Sequence, residues 1–416
     1  MAKRDRSNRS RGPKVENYDV VIIGGGPAGL SAAIYAGRAR LKTVLIEKGL
    51  IGGLATYTNE IANYPGFPDA PKGEAITNLM KEQAENMGVD FKLTAVKSVD
   101  LEGEVKTVEA FRTTYKTKTV IIATGGRPRT TGALNEEKFL YDKGISFCAT
   151  CDAASNTDKH VVVIGSGDAA IEEGMFLTKF ASKVTVSVLH DEGIMDCNEI
   201  AKEAALSNPK MEFVWNTTVH AFEGEDHLER VVLKHTKTDE LIPIECDNCF
   251  EFIGYVPNNE LFKDGVIEMT NRGYIPVNNL QETNVEGVFA VGDITNKWLK
   301  QIATAVGDGA VGGTAAEKYI SESEIFNDKI MQSEKPGLIY IYNAIDEDSR
   351  NFLSTIEKIE NDMDGKLAIS RIDVYKSDGL AKRLKVEKYP AVVTTVDGKI
   401  TNKTYDMNEE TIKSLL

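Results

Sequence analysis

Asp19-Val20-Val21-Ile22-Ile23-Gly24-Gly25-Gly26-Pro27-Ala28-Gly29 decides how this chain is read. Its unbroken apolar run has the pattern of a strand buried on both faces, as in a parallel sheet. The glycines then turn the chain into an Ala-rich helical stretch that continues through Arg38, and a second strand, Thr43 to Ile46, ends at Glu47. Glu47 stands 21 residues after Gly26, about the separation at which a carboxylate reaches a ribose hydroxyl in a dinucleotide-binding unit. Gly24, Gly26 and Gly29 divide the work of such a turn: a tight reversal, backbone approach to a pyrophosphate, and close packing of helix on strand. Pro27 and Ala28 open the helix whose N–H groups face the phosphates. Lys48 and Gly53 follow in the loop after the acid and are assigned to the same cofactor site.

The unit recurs. Val161 to Ile164 leads into Gly165-Ser166-Gly167-Asp168-Ala169-Ala170, then a helix through Lys179 and a strand from Val184 to Val186, with Gly165 lying 141 residues after Gly24. Two nucleotide folds in one chain bring one redox carrier to another, so the repeat suggests one such domain inserted in the other. Gly287 to Asp293 reads as a strand ending in an acid, and a helix from Gln301 to Ala316 opens beside it.

The 416 residues allow two to four domains, and 42% hydrophobic with 27% charged residues is the composition of an ordinary globular protein. A net charge of −14 argues against nucleic-acid binding, which rests on accumulated Lys and Arg. Residues 1–17 are the exception: Lys3, Arg4, Arg6, Arg9, Arg11 and Lys14 form a basic segment without hydrophobic period, read as a mobile tail that could steer an acidic partner. Neither a signal peptide nor a membrane-spanning run is recognisable, so a cytoplasmic location is expected.

Five cysteines include two C-x-x-C pairs, Cys148/Cys151 and Cys246/Cys249. In a reducing compartment this spacing means redox or metal chemistry. Two cysteines separated by two residues close a small ring and can cycle between dithiol and disulfide. A zinc site joining the two pairs is the weaker reading, because structural zinc takes a compact four-ligand knuckle. Cys246 and Cys249 precede a strand read as Phe250 to Ile253, where residues three apart face opposite ways. They are read as small packing residues, with a secondary redox relay as the alternative, and Cys197 as a passive thiol.

With these residues the chain resembles the low-molecular-weight thioredoxin reductases over about residues 18–320. The marks are the first glycine motif, Asn63-Tyr64-Pro65-Gly66-Phe67, Ala123-Thr124-Gly125-Gly126, Cys148-Ala149-Thr150-Cys151-Asp152, and Gly292-Asp293 followed by Lys300-Gln301-Ile302-Ala303-Thr304, in that order. The resemblance implies an α/β protein with two Rossmann-like, three-layer ββα domains: an FAD domain of residues 18–126 and 246–320, and an inserted NAD(P)H-domain-like unit, 127–245, carrying the redox cysteines. It implies that Asn63, Thr124, Gly125 and Ile302 line the FAD, Gly292 and Asp293 lie near its ribityl chain, and Gln301 near the pyrimidine edge of the ring. Cys151 would face the flavin, Cys148 would attack the partner, thioredoxin, and Asp152 would manage the thiol proton. A homodimer is expected.

One departure from the family bears on the electron donor. The position matching Glu47 in the repeat is Val188, and Ser187-Val188-Leu189-His190-Asp191-Glu192-Gly193-Ile194 contains neither the Arg and Lys that hold a 2′-phosphate nor, at the strand end, the acid that takes a ribose. NAD(P)H is therefore doubtful, and the chain looks most like the ferredoxin-dependent flavin thioredoxin reductases, in which a one-electron donor feeds the flavin. The alternatives are an NAD(P)H-dependent enzyme with an atypical cofactor site, an FAD-dependent dithiol oxidase, and a redox-sensing scaffold.

Residues 321–334 are charged and read as a linker. Beyond them, residues 335–416 resemble thioredoxin: strands Leu338 to Tyr342 and Ala368 to Val374, a helix from about Ser349, Tyr389-Pro390 at the place of a cis-proline, and a hairpin at Asp397-Gly398. Where thioredoxins carry C-x-x-C, this chain has Asn343-Ala344-Ile345-Asp346-Glu347-Asp348. A docking, dimerising or stabilising role is expected for it.

Overall fold

Val20, Val21 and Ile22 are fully buried in the computed structural model, which describes residues 14–58, 61, 63–140, 143–376 and 378–416. Their strand, Lys14–Ile23, is central in the first sheet, parallel to Thr43–Glu47 on one side and Thr113–Ile122 on the other. Val288–Ala290 also pairs with Thr113–Ile122, so the apolar segment after the insertion closes the same sheet. The strand begins at Lys14, which pairs with Thr113. Residues 14–17 thus belong to the sheet rather than to a tail, and the rest of the basic segment lies outside the described residues.

Helices Pro27–Arg38 and Ile302–Phe326 pack together over this sheet. Their approach needs glycine, since a Cβ on Gly309 would lie 2.2 Å from Ala28 O and one on Gly313 2.7 Å from Ala32 O. The four-residue spacing of Gly309 and Gly313 sets both on one helix face.

The second sheet is parallel, ordered Met211–Val214, Lys183–Ser187, His160–Ile164, Asn248–Glu251, Ile145–Ser146. A three-stranded antiparallel sheet, Thr217–Glu223, Arg230–His235 and Leu241–Glu245, shares a core with one face of it. Since Asn248–Glu251 is inside this sheet, residues 246–253 belong to the inserted domain, not to the first. A buried strand carries no label of the sheet it joins. The crossing between domains is the short ladder of Gly126–Pro128 with Tyr255–Pro257.

The 321–334 stretch is not a linker. The helix from Ile302 runs 25 residues to Phe326 and passes into a further helical turn, Asn327–Met331. Its charges face solvent, while Tyr319, Ser323, Phe326 and Ile330 recur at helical spacing and are buried. Phe326 and Ile330 belong to the core of the C-terminal domain, whose sheet is ordered Ala368–Asp373, Gly337–Tyr342, Ala391–Val396, Lys399–Thr404. The Tyr389-Pro390 peptide is cis, as its place in the sequence suggests.

Arg383 fastens this domain to the first. Its Nε lies 2.6 Å from Glu286 Oε1, and its Nη2 donates to Tyr319 Oη at 2.9 Å and Ser323 Oγ at 3.1 Å. Lys382 Nζ adds a bond to Thr283 O at 3.0 Å.

Candidate functional site

The first glycine turn is shaped as its sequence requires. Gly24 has φ of 111°, and a Cβ on Gly29 would lie 2.0 Å from Gly24 O. The helix starts at Pro27 with Gly26 as its cap and no side-chain cap, and Ala28 is buried. Free first-turn N–H groups and the positive end of the helix dipole meet at this edge. Glu47 accepts the Gly25 N–H on Oε2 and the Gly49 N–H on Oε1, each at 2.7 Å. Lys48 is exposed, and Gly53 comes against Gly26. Thr124 is tied to the crossing: its Oγ1 donates to Asn258 O at 2.8 Å and its carbonyl accepts from Asn258 Nδ2 at 2.9 Å, with Gly125 next to it. Asn258 escaped the sequence reading, although it stands just after the Tyr255–Pro257 crossing strand.

Gly292 and Asp293 lie at the end of Val288–Ala290. The Gly292 N–H donates to Asp308 Oδ2 at 3.0 Å, and Lys297 Nζ lies 2.5 Å from the same oxygen. Asp293 Oδ1 is buried without a hydrogen-bond partner. Burial pushes that carboxyl up, against the pull of Lys300 and Lys297. A buried acceptor left open beside a glycine turn suits a bound hydroxyl group. Together with the uncapped helix end, it makes these residues a fit for a flavin dinucleotide.

Gln301 caps the long helix, its N–H donating to Thr304 Oγ1 at 3.2 Å, and Ile302 begins the helix proper. Asn63 Nδ2 donates to Gln301 Oε1 at 3.0 Å. Gln301 Nε2 lies 4.0 Å from Cys148 Sγ. Residues 63, 148 and 301, from three separate stretches and two domains, therefore meet at one point.

Cys148 and Cys151 form a disulfide, both half-buried at a single helical turn, Ala149–Asp152. The sulfur that reaches the Gln301 amide is that of Cys148. Ser146 Oγ donates to Asp152 Oδ2 at 2.5 Å and accepts the Cys148 N–H at 3.1 Å. Glu173, on the helix Asp168–Leu177, faces the N–H groups of Ala149 and Thr150, and burial pushes its carboxyl up. Ser146 and Glu173 were missed. Ser146 could have been noticed as a hydroxyl two residues before the first cysteine.

Cys246 and Cys249 are free and buried in an apolar cluster. Burial pushes the Cys246 thiol up to about 12 and Cys249 well above its ordinary value, which leaves neither as a ready thiolate. Cys197 is half-buried and also raised by burial. Among the described residues no group of three or more His, Cys, Asp and Glu is arranged to hold a metal. Val188 is fully buried, and Asp191 is ion-paired with Lys237 from a neighbouring turn, a lysine that the local sequence does not reveal.

The model of the pyridine nucleotide-disulphide oxidoreductase family matches residues 18–309, and that of thioredoxin residues 317–416. The chain is 43% identical over 309 residues to the thioredoxin reductase of Peptoclostridium acidaminophilum, covering 73% of this chain and 97% of that protein. It is 40% identical to the thioredoxin reductase of Bacillus subtilis (strain 168), covering 73% and 95%. Among solved structures it is similar to thioredoxin reductase from Streptococcus pyogenes MGAS5005, with 36% identity, a TM-score of 0.68, and 74% and 99% of the two chains covered.

Proposed function

We propose, from the premise that this chain belongs to the thioredoxin reductase family of pyridine nucleotide-disulphide oxidoreductases, that it reduces the disulfide of thioredoxin with electrons drawn from ferredoxin. It is an oxidoreductase acting on a sulfur group, in a family whose cofactor is a flavin. The observation that carries the reading is the meeting of Asn63, Gln301 and Cys148, which joins the N-terminal end of the long helix to the redox disulfide.

Gly24, Gly26, Glu47, Gly292 and Asp293 would hold FAD, which when bound would supply a carrier able to exchange electrons singly and in pairs. Two electrons and two protons convert the Cys148–Cys151 disulfide to two thiols. The Cys148 thiolate then attacks the thioredoxin disulfide, forming one S–S bond and releasing one thiolate. Cys151 attacks Cys148 Sγ in turn, restoring the disulfide and freeing reduced thioredoxin. Asp152, held by Ser146, takes and returns the thiol proton.

The donor assignment is supported by the segment after Lys183–Ser187, where a buried Val188 stands at the strand end in place of an acid and residues 187–194 contain no Arg or Lys. The C-terminal domain acts as a stabilising module: the sequence has no cysteine beyond Cys249, and Arg383 fixes the domain to the first. A cytoplasmic homodimer completes the reading, and among the described residues no helix is long and apolar enough to cross a membrane.

Anaerobic bleaching of the flavin with NADPH, NADH and reduced ferredoxin in parallel tests the donor. Fast bleaching by ferredoxin alone is expected, and fast bleaching by NADPH would refute it. Thioredoxin reduction by Cys148→Ser would refute the thiol assignment.

A further inference from the structure

The two glycine turns share one backbone bond that is finished by different residues. At the first, the Gly52 N–H donates to Gly25 O at 2.7 Å. At the second, the Asp196 N–H donates to Ser166 O, the matching residue of the repeat, at 3.0 Å. The strap across the first turn is thus Gly52-Gly53, without side chains, and the strap across the second carries a carboxylate.

That carboxylate is anchored. Asp196 Oδ2 accepts from Ser166 Oγ at 3.4 Å and lies 2.9 Å from His190 Nε2, while Gly167 and Asp196 form a bridge. A second acid stands at the helix start: Asp168 Oδ1 accepts both the N–H and the side-chain amide of Asn198, at 2.8 and 2.9 Å. At the first turn the equivalent of Asp168 is Pro27. A dinucleotide fold places its diphosphate at the start of this helix. Here the strap and the first helical residue each bring a negative charge to that place.

We propose that Asp196 is the specificity-determining residue that excludes nicotinamide dinucleotides from the second fold, setting a carboxylate on the strap where the first turn has only Gly52. Asp168 reinforces it through like-charge repulsion of the diphosphate. The Asp196 side chain is 65% exposed, so solvent and salt screen the repulsion and each carboxylate contributes modestly. The inference rests on the reading that the donor is not a nicotinamide.

Titration of the oxidised holoenzyme with NADPH and NADH, followed by calorimetry, tests it in the unaltered chain, Asp196→Gly, Asp196→Asn and the Asp168→Asn/Asp196→Gly pair. Asp196→Asn keeps the shape and removes only the charge, and flavin content with ferredoxin-driven thioredoxin reduction reports folding. The unaltered chain is expected to show no saturation below roughly 1 mM, the upper end of ordinary substrate affinities. Each carboxylate removed should tighten binding roughly threefold, with the double variant tightest and salt narrowing the difference. Variants that bind no better than the unaltered chain would overturn the role of Asp196 and leave the ferredoxin reading intact. Micromolar NADPH binding by the unaltered chain, with fast bleaching, would overturn both.

Discussion

Ser146 Oγ stands 2.5 Å from Asp152 Oδ2 and at the same time accepts the Cys148 N–H at 3.1 Å, so one hydroxyl ties the acid to the backbone of the first redox cysteine. Removing Asp152 by Asp152→Asn should slow thioredoxin reduction about 100-fold, the usual contribution of a positioned acid. Ser146→Ala leaves the acid in place but unheld, and should cost about tenfold, one charged hydrogen bond. Steady-state turnover with unchanged flavin content checks both, and equal rates in Ser146→Ala and the unaltered enzyme would refute the tether.

Asp293 predicts an opposition between stability and cofactor binding. Its Oδ1 is buried without a partner, and burial raises the carboxyl. In Asp293→Ala the apoprotein should melt no lower than the unaltered one, because an uncompensated polar atom is gone. FAD should bind at least about tenfold more weakly, since the group that would accept its hydroxyl is lost. Apoprotein titration with FAD alongside thermal melts separates the two effects.

Glu251 gives a pH signature. It is 3% exposed, and burial first, then the neighbouring Glu136 carboxylate, pushes it up to about 9. Because the folded value lies above the ordinary 4.5, the stability linked to this proton is complete below about pH 4.5 and drains away as pH rises toward 9. Glu251→Gln cannot ionise, so its melting temperature should exceed that of the unaltered protein by an amount that grows from pH 5 to pH 9. The gap is on the order of a few kcal/mol at the upper end. Parallel melting curves with pH would refute it.

Arg383→Ala leaves Glu286 inside the contact between the first and C-terminal domains without its cation. The two side chains are 17% and 15% exposed, and breaking such a pair costs about 3 kcal/mol. Proteolysis should then release fragments ending near residue 331, while thioredoxin reduction by the intact fraction persists. A double-mutant cycle with Glu286→Gln measures the coupling, and additive losses would show that the pair does not hold the domain.

Both nucleotide folds were legible because each is local: strand, glycine turn, helix and second strand follow one another within about thirty residues. The C-x-x-C motif was legible for the same reason. What the sequence hid was long-range or carried by one face of a helix. Asn248–Glu251 is buried at Cys249, Phe250 and Glu251 but carries no sequence label of its sheet, and only its pairing with His160–Ile164 assigns it to the second sheet. The charges of residues 321–334 concealed Ser323, Phe326 and Ile330, whose helical spacing is the informative part. Asp308 and Asn258 lie 16 and 134 residues from the partners they bind, Gly292 and Thr124, and no local motif announces them.

The long helix Ile302–Phe326 has its first turn beside the disulfide and its last in the C-terminal core. At about 1.5 Å per residue, its 25 residues span about 37 Å. A domain with the shape of the enzyme's own substrate, on a flexible tether, would reach an effective concentration on the order of millimolar at the active site. It would outcompete free thioredoxin at the dithiol. The helical spacer and the Arg383 contacts instead set the core of that domain at the far end of the helix from the disulfide.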